Sequence, residues 1–206
     1  SILGALQNEE EDDVVALLLR VVNVIGGREA IPSILQFIDH DNPMIRRLTI
    51  DTLGELPDPA SVDYLLAKLD DPDVPSQQAA MNAIAAVVAE LPDVKEEMIA
   101  KIRRLLQADS VPLKLNSLSI YVNIKGEGFH NELLLASKHS DPVIRQKAVS
   151  LMGRFAEEQF GQQIVLALAD ESTAVRLAAL NAVLHLRPVT GIAPLISSLE
   201  DSDIWI

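Results

Sequence analysis

The chain has 206 residues, 17 Lys plus Arg against 30 Asp plus Glu, a formal net charge of −13, 49% apolar residues and only 3% aromatic ones. That charge repels phosphate backbones and anionic lipid surfaces, so nucleic-acid and membrane partners are not expected, and no run of about 18 uncharged apolar residues is long enough to span a bilayer. The absence of cysteine removes disulfides, thiolate metal sites and a cysteine nucleophile together.

In chain order, Ser1-Ile2-Leu3-Gly4-Ala5-Leu6 reads as the second helix of a hairpin whose first helix is missing, with neither an initiator Met nor a signal peptide ahead of it. The acidic run Glu9-Glu10-Glu11-Asp12-Asp13 then precedes a helix, where carboxylates face the positive end of the helix dipole. Gly26-Gly27 breaks the chain before an i, i+3, i+4, i+7 stripe, Ile31, Ile34, Leu35 and Ile38. Pro43 sits where a first helical turn tolerates proline. Pro57-Asp58-Pro59 separates that helix from a second stripe, Val62, Leu65, Leu66 and Leu69. Pro92-Asp93, Gly126-Glu127-Gly128 and Arg187-Pro188 mark the later breaks, and Pro142 another helix start. The chain stops on Asp201-Ser202-Asp203-Ile204-Trp205-Ile206, an apolar rise after an acidic cluster, and both ends read as cut.

These elements repeat. Arg145 and Arg176 are 31 residues apart, and the same step places Val15, Arg46 and Gln77 in one column and Lys114 with Arg145; about six extra residues fall between Gln77 and Lys114. Columns at −1, +3, +7 and +10 from this position lie on one helix face, and 21 of their 24 residues are apolar, with Thr49, Ser76 and Ser117 the exceptions. The spacing predicts two-helix units over about 12–40, 41–71, 72–108, 109–139, 140–170 and 171–201, in one all-α domain spanning 1–206. Neither helix of a pair can bury its stripe alone, so the pairs must stack on one another as an α-solenoid. Gly54 and Gly153 share one phase, which suggests close approach between helices. The third unit, with its extra residues, is expected to carry a longer helix.

With two helices per unit, and with Asp141-Pro142-Val143-Ile144-Arg145 and Ser172-Thr173-Ala174-Val175-Arg176 opening units, the chain resembles the HEAT repeats, in particular the short variety named after phycobilisome lyases. The resemblance implies ladders between units, made by an acidic residue before the first helix and the Arg within it; Asp41, Arg46, Arg145, Glu171 and Arg176 match that pattern. Val15, Gln77 and Lys114 depart from it and should interrupt the ladder. The resemblance further implies protein–protein contact through second helices that line a concave side.

Chemistry of the chain's own finds little support. The four histidines are followed by Asp41, Asn131, Ser140 and Leu186, so the His-Glu pairs that hold iron in the HEAT-like deoxyhypusine hydroxylase pattern are missing; His40, His130, His139 and His185 read as solvated or capping. Phosphate loops, Gly-x-Ser-x-Gly and His-Glu-x-x-His are absent too. No cofactor, metal or catalytic residue is expected. The projected second-helix lining carries Phe37, Tyr64, Lys68, Lys101 and Arg104 toward its first half, and aromatic and Arg side chains are the usual anchors of docking surfaces. The expectation is a cytoplasmic scaffold binding a protein or peptide on that face, with association through open aliphatic ends as a further tendency. A bilin-lyase-like or other cofactor-handling enzyme, or a module of a larger protein, is the alternative.

Overall fold

The computed structural model describes residues 2–124, 128–155 and 157–185; Trp205, Leu186 and the breaks at 126–127 and 187–188 lie outside the described residues. The described residues hold twelve α-helices and no strand. They are α1 (Ile2–Gln7), α2 (Asp12–Ile25), α3 (Ile31–Leu35), α4 (Pro43–Glu55), α5 (Val62–Ala67), α6 (Val74–Glu90), α7 (Lys95–Leu105), α8 (Val111–Asn123), α9 (Phe129–Ala136), α10 (Pro142–Phe155), α11 (Gly161–Ala167) and α12 (Thr173–His185). Single 3₁₀ turns precede α3, α5, α7 and α11, and another follows α5. The chain divides into two compact units, Ser1–Ile124 and Lys125–Ile206. Each is built from helical hairpins in the α-solenoid manner.

Helix starts follow from local chemistry. Asn42 Oδ1 accepts from the Met44 N–H at 2.9 Å, Asp73 Oδ2 from Ser76 at 2.9 Å, Ser110 Oγ from Leu113 at 3.3 Å and Asp141 Oδ1 from Val143 at 2.8 Å. Pro43, Pro75, Pro112 and Pro142 occupy the first turns, where a missing N–H costs nothing. The third pair is long in both members, 17 residues in α6 and 11 in α7, which absorbs the extra residues.

Packing runs from one hairpin to the next. In the first unit α2 stacks on α4 and α4 on α6, with α5 against α6 and α7 against α8; in the second, α10 stacks on α12, with α9 against α10 and α11 against α12. The predicted stripe is the core: Ile45, Leu53, Leu65, Leu69, Ile84 and Val87 are fully buried, as are Ala148, Met152, Ile164 and Val175. Each large aliphatic side chain buried this way contributes about 1.5–3 kcal/mol. Thr49, also fully buried, donates its hydroxyl to the Ile45 carbonyl at 2.8 Å, which lets a polar residue occupy a core column. Two members of the columns are open instead, Val14 and Ile25, both on α2.

The glycine phase has a physical reason. A Cβ built on Gly54 would sit 2.9 Å from Cβ and 3.0 Å from Cα of Ala83, and one on Gly153 would sit 2.6 Å from Cα of Ala182. Both contacts join successive first helices, α4 to α6 and α10 to α12, at a separation of 29 residues. A glycine against an alanine lets the two backbones approach closely enough to close the first-helix layer.

Candidate functional site

Two sets of residues bear on function: the polar groups that join consecutive hairpins, and the side chains on the second helices.

Arg46 in α4 reaches Asp71, which lies in the loop before α6. Its Nε donates to Asp71 Oδ2 at 3.0 Å and its Nη2 to Oδ1 at 2.9 Å, a bidentate pair in which the Asp71 side chain is fully shielded from solvent. Arg145 in α10 repeats the arrangement on Asp170 before α12, with both bonds at 2.9 Å and a third to Glu171 at 3.0 Å. The remaining guanidinium nitrogen Nη1 turns back to carbonyls five and six residues earlier: Asp41 and His40 for Arg46, Ser140 and His139 for Arg145, Glu171 and Asp170 for Arg176. Asp41 therefore takes part through its backbone, a correction to its expected role as a ladder carboxylate; the carboxylates in that role are Asp71 and Asp170, with Glu171 as a second partner of Arg145.

Gln77 does not leave the joint empty. Its Nε2 donates to the Asp71 carbonyl at 2.7 Å, the bond that Nη1 makes elsewhere, and its Oε1 accepts from Asn116 at 2.9 Å. Asp71 thus receives Arg46 on its carboxylate and Gln77 on its carbonyl, while Asp170 receives Arg145 and Arg176 in the same two ways.

The residues at this phase also cap the chain. Asp71 Oδ1 accepts from the Asp73 N–H at 3.0 Å and Asp170 Oδ1 from Ser172 at 2.8 Å; His40 and His139 do the same with Nδ1, from Asn42 at 3.1 Å and Asp141 at 3.0 Å. The two aspartates follow an arginine 25 residues earlier, and the two histidines follow Val15 and Lys114 at that distance. The imidazole Nδ1 supplies the acceptor that a carboxylate oxygen supplies at Asp71 and Asp170.

Electrostatics agree with this division. Burial works against ionisation of Asp71, but the Arg46 hydrogen bonds, the Asp73 N–H and the nearby Lys68 outweigh it and hold the carboxyl below its ordinary range. For Asp170 the bonds from Arg145 are the leading cause of a shift in the same direction.

Of the five expected docking residues, two are structural. Phe37 is 7% exposed and lies in the turn after α3, and Lys68 is 9% exposed, its ammonium bonded to Asp39 at 2.7 Å and paired with Asp71 at 3.4 Å. Tyr64 on α5 is 47% exposed, and Arg104 on α7 is exposed. Lys101 on α7 donates to Asp63 on α5 at 2.7 Å and pairs with Glu97 at 2.7 Å, so it ties neighbouring second helices together beside Tyr64. Deeper in the same unit, Arg103 of α7 donates at 2.6 Å to the hydroxyl of Tyr121, which is fully buried in α8.

Sequence reasoning missed two further features. His130 at the start of α9 stacks on Phe129, with centroids 3.7 Å apart, and its Nε2 lies 2.7 Å from Glu157 Oε2, joining α9 to the turn before α11. On the first-helix side of the first unit, a cleft of about 660 Å³ is lined by Asn23, Asp51, Gly54, Glu55, Asn82 and Glu90. Burial, reinforced by Glu55 and opposed by Arg47, raises the Asp51 carboxyl. Among the described residues no group of three His, Cys, Asp or Glu is placed to hold a metal ion, and no helix is long and apolar enough to cross a membrane.

Residues 1–85 match the family model described as HEAT repeats. The solved structure of YibA from Escherichia coli is similar at 15% identity over 88% of this chain and 68% of that chain, with a TM-score of 0.55. The complex of CpcE and CpcF of phycocyanin lyase from Nostoc sp. PCC7120 aligns at 16% identity over 97% and 79%, with a TM-score of 0.44. A designed armadillo repeat protein in complex with the peptide (KR)4 aligns at 14% identity over 90% and 98%, with a TM-score of 0.48. No curated protein sequence matches the chain. Residues 1–85 are thus similar in sequence to HEAT repeats, and the described helices carry an α-solenoid fold.

Proposed function

We propose that the second-helix surface of the first unit, around Tyr64, Lys101 and Arg104, docks another protein through an amphipathic peptide or helix, and that the chain contributes binding without chemistry of its own. The observation that carries this reading is the bond from Lys101 on α7 to Asp63, the neighbour in sequence of the half-exposed Tyr64 on α5. The local charges are largely paired, since Lys101 meets both Asp63 and Glu97. A partner there gains most from apolar contact with Tyr64 and from a carboxylate opposite Arg104. HEAT-type folding supports the reading, because stacked hairpins present a continuous row of second helices.

The test is a photo-crosslinking residue placed at position 64. It should capture one protein of defined mass, and Arg104→Glu should abolish the adduct while helicity is unchanged. Equal capture from position 64 and from exposed Ala85 on α6 would contradict the assignment.

A further inference from the structure

Each of the two glycine contacts between first helices has a cleft beside it, and the walls of the two clefts differ in charge. In the first unit the cleft at Gly54 and Ala83 is edged by Asp51, Glu55, Asn82 and Glu90. In the second, a cleft of about 440 Å³ at Gly153 and Ala182 is edged by Ser150, Arg154, Asn181 and His185. That size falls within the roughly 300–1,000 Å³ of small-molecule sites. The walls correspond at a constant offset of 99 residues: Asp51 becomes Ser150, Glu55 becomes Arg154, Ala86 becomes His185, and Asn82 is again asparagine at Asn181. Close helix approach dictates the glycine and the alanine of both clefts. It does not dictate the exposed wall residues, which change from carboxylates to groups that can donate hydrogen bonds.

The donors of the second cleft are uncommitted. Arg145 of α10 and Arg176 of α12 are engaged at the joints between hairpins, but the side chains of Ser150, Arg154, Asn181 and His185 make no hydrogen bond or ion pair among the described residues. Neither α10 nor α12 contains an Asp or Glu, in a chain that has 30 of them. Lys147 stands seven residues before Arg154 on the same face of α10. Burial and that guanidinium lower its ammonium pKa, and an anion beside the pair would offset their repulsion. We propose that this cleft binds a phosphoryl group, with Arg154 as the anchor and Ser150, Asn181 and His185 as further donors. A guanidinium offers two parallel N–H groups to phosphate oxygens, and the hydroxyl, amide and imidazole serve the remaining one. A carboxylate, with two oxygens, would use fewer of these groups.

Titration calorimetry with glycerol 3-phosphate, and with a Gly/Ser peptide carrying one phosphoserine, tests this. At least one of the two should bind at one site per chain, and the tighter of them tells whether the phosphoryl group comes from a free ester or from a modified side chain. Arg154→Glu should weaken binding by at least ~30-fold. Arg47→Glu, the same charge change at an exposed arginine of the first unit, should leave it unchanged. Both arginines are exposed, so far-UV circular dichroism of either variant should match the wild type. The imidazole resonances of His185 should move on binding while those of His40 stay in place. Succinate, a dicarboxylate, should bind at least ~10-fold more weakly. Binding of neither phosphorylated probe at millimolar concentration, equal losses from the two arginine changes, or succinate binding as tightly would overturn the proposal.

Discussion

Arg46 and Asp71 stand 25 residues apart in sequence and form a bidentate ion pair whose carboxylate is closed to solvent. Arg145 and Asp170 repeat it at the same separation. The aspartate is a relay: its carboxylate takes the arginine of the preceding hairpin, its carbonyl takes the polar side chain six residues on, and one carboxylate oxygen caps the N–H two residues on.

Where no arginine precedes, histidine holds the place, and this makes His40 a sharp test. His40→Asn keeps an acceptor for the Asn42 N–H and should leave stability within about 0.5 kcal/mol. His40→Asp brings a carboxylate near Asp12, which lies 3.6 Å from the imidazole Nε2, with Val15 in the arginine position. It should cost about 1–3 kcal/mol by urea unfolding at neutral pH. Equal stability of the two variants would show that charge does not decide this position.

The glycines at the first-helix contacts should resist enlargement. Alanine in a helix gains about 1 kcal/mol over glycine, but at Gly153 the new methyl would meet the Ala182 backbone, so Gly153→Ala should be net destabilising by about 1–3 kcal/mol. Gly54→Ala, with a longer approach to Ala83, should cost less. Ala182→Gly should recover part of the loss from Gly153→Ala; no recovery would locate the strain elsewhere.

Acid should loosen the relays. The carboxyls of Asp71 and Asp170 lie below their unfolded values of about 3.9, so the stability they contribute is complete above that range and is lost as pH falls through the depressed folded values. The urea midpoint should therefore decline below about pH 4, and Asp71→Asn with Asp170→Asn should lower it at pH 6 while flattening that decline. Parallel profiles for both proteins would contradict the assignment.

Phe37 and Lys101 should separate packing from surface. Phe37→Ala removes a buried ring and should cost about 3–5 kcal/mol. Lys101→Ala breaks bonds to two exposed carboxylates and should leave the melting temperature unmoved. A large loss from the second change would mean that the α5–α7 tie is structural.

Much of this fold is legible in the residue pattern, because a 31-residue recurrence of apolar columns leaves few ways to bury them; Ile45, Leu53, Ala80, Ile84, Ala148 and Met152 are all inside as expected. The phase of Gly54 and Gly153 likewise signals close helices. Which second-helix residues reach the surface is legible only where that helix is long. On the 11-residue α7 a helical projection puts Lys101 and Arg104 outside the core, where the structure has them, but α3 ends at Leu35 and α5 at Ala67. Beyond those ends the chain enters turns and a 3₁₀ segment, which advance by a different angle per residue. Phe37 and Lys68 consequently rotate into the interior. Asp71 and Asp170 are missed because attention rests on the acid beside each helix start; an aspartate six residues before both Gln77 and Arg176 is the periodic signal that marks them.

A double-mutant cycle on Arg46 and Asp71 measures the coupling between hairpins most directly. Arg46→Gln leaves a shielded carboxylate without its guanidinium and should cost about 3–5 kcal/mol, and Asp71→His should strand the guanidinium at a similar cost. The pair Arg46→Gln with Asp71→His puts the histidine acceptor seen at His40 in place of the ion pair and should be less destabilised than the sum of the singles by at least about 2 kcal/mol. Strictly additive losses in urea unfolding would contradict the relay as the link between consecutive repeats.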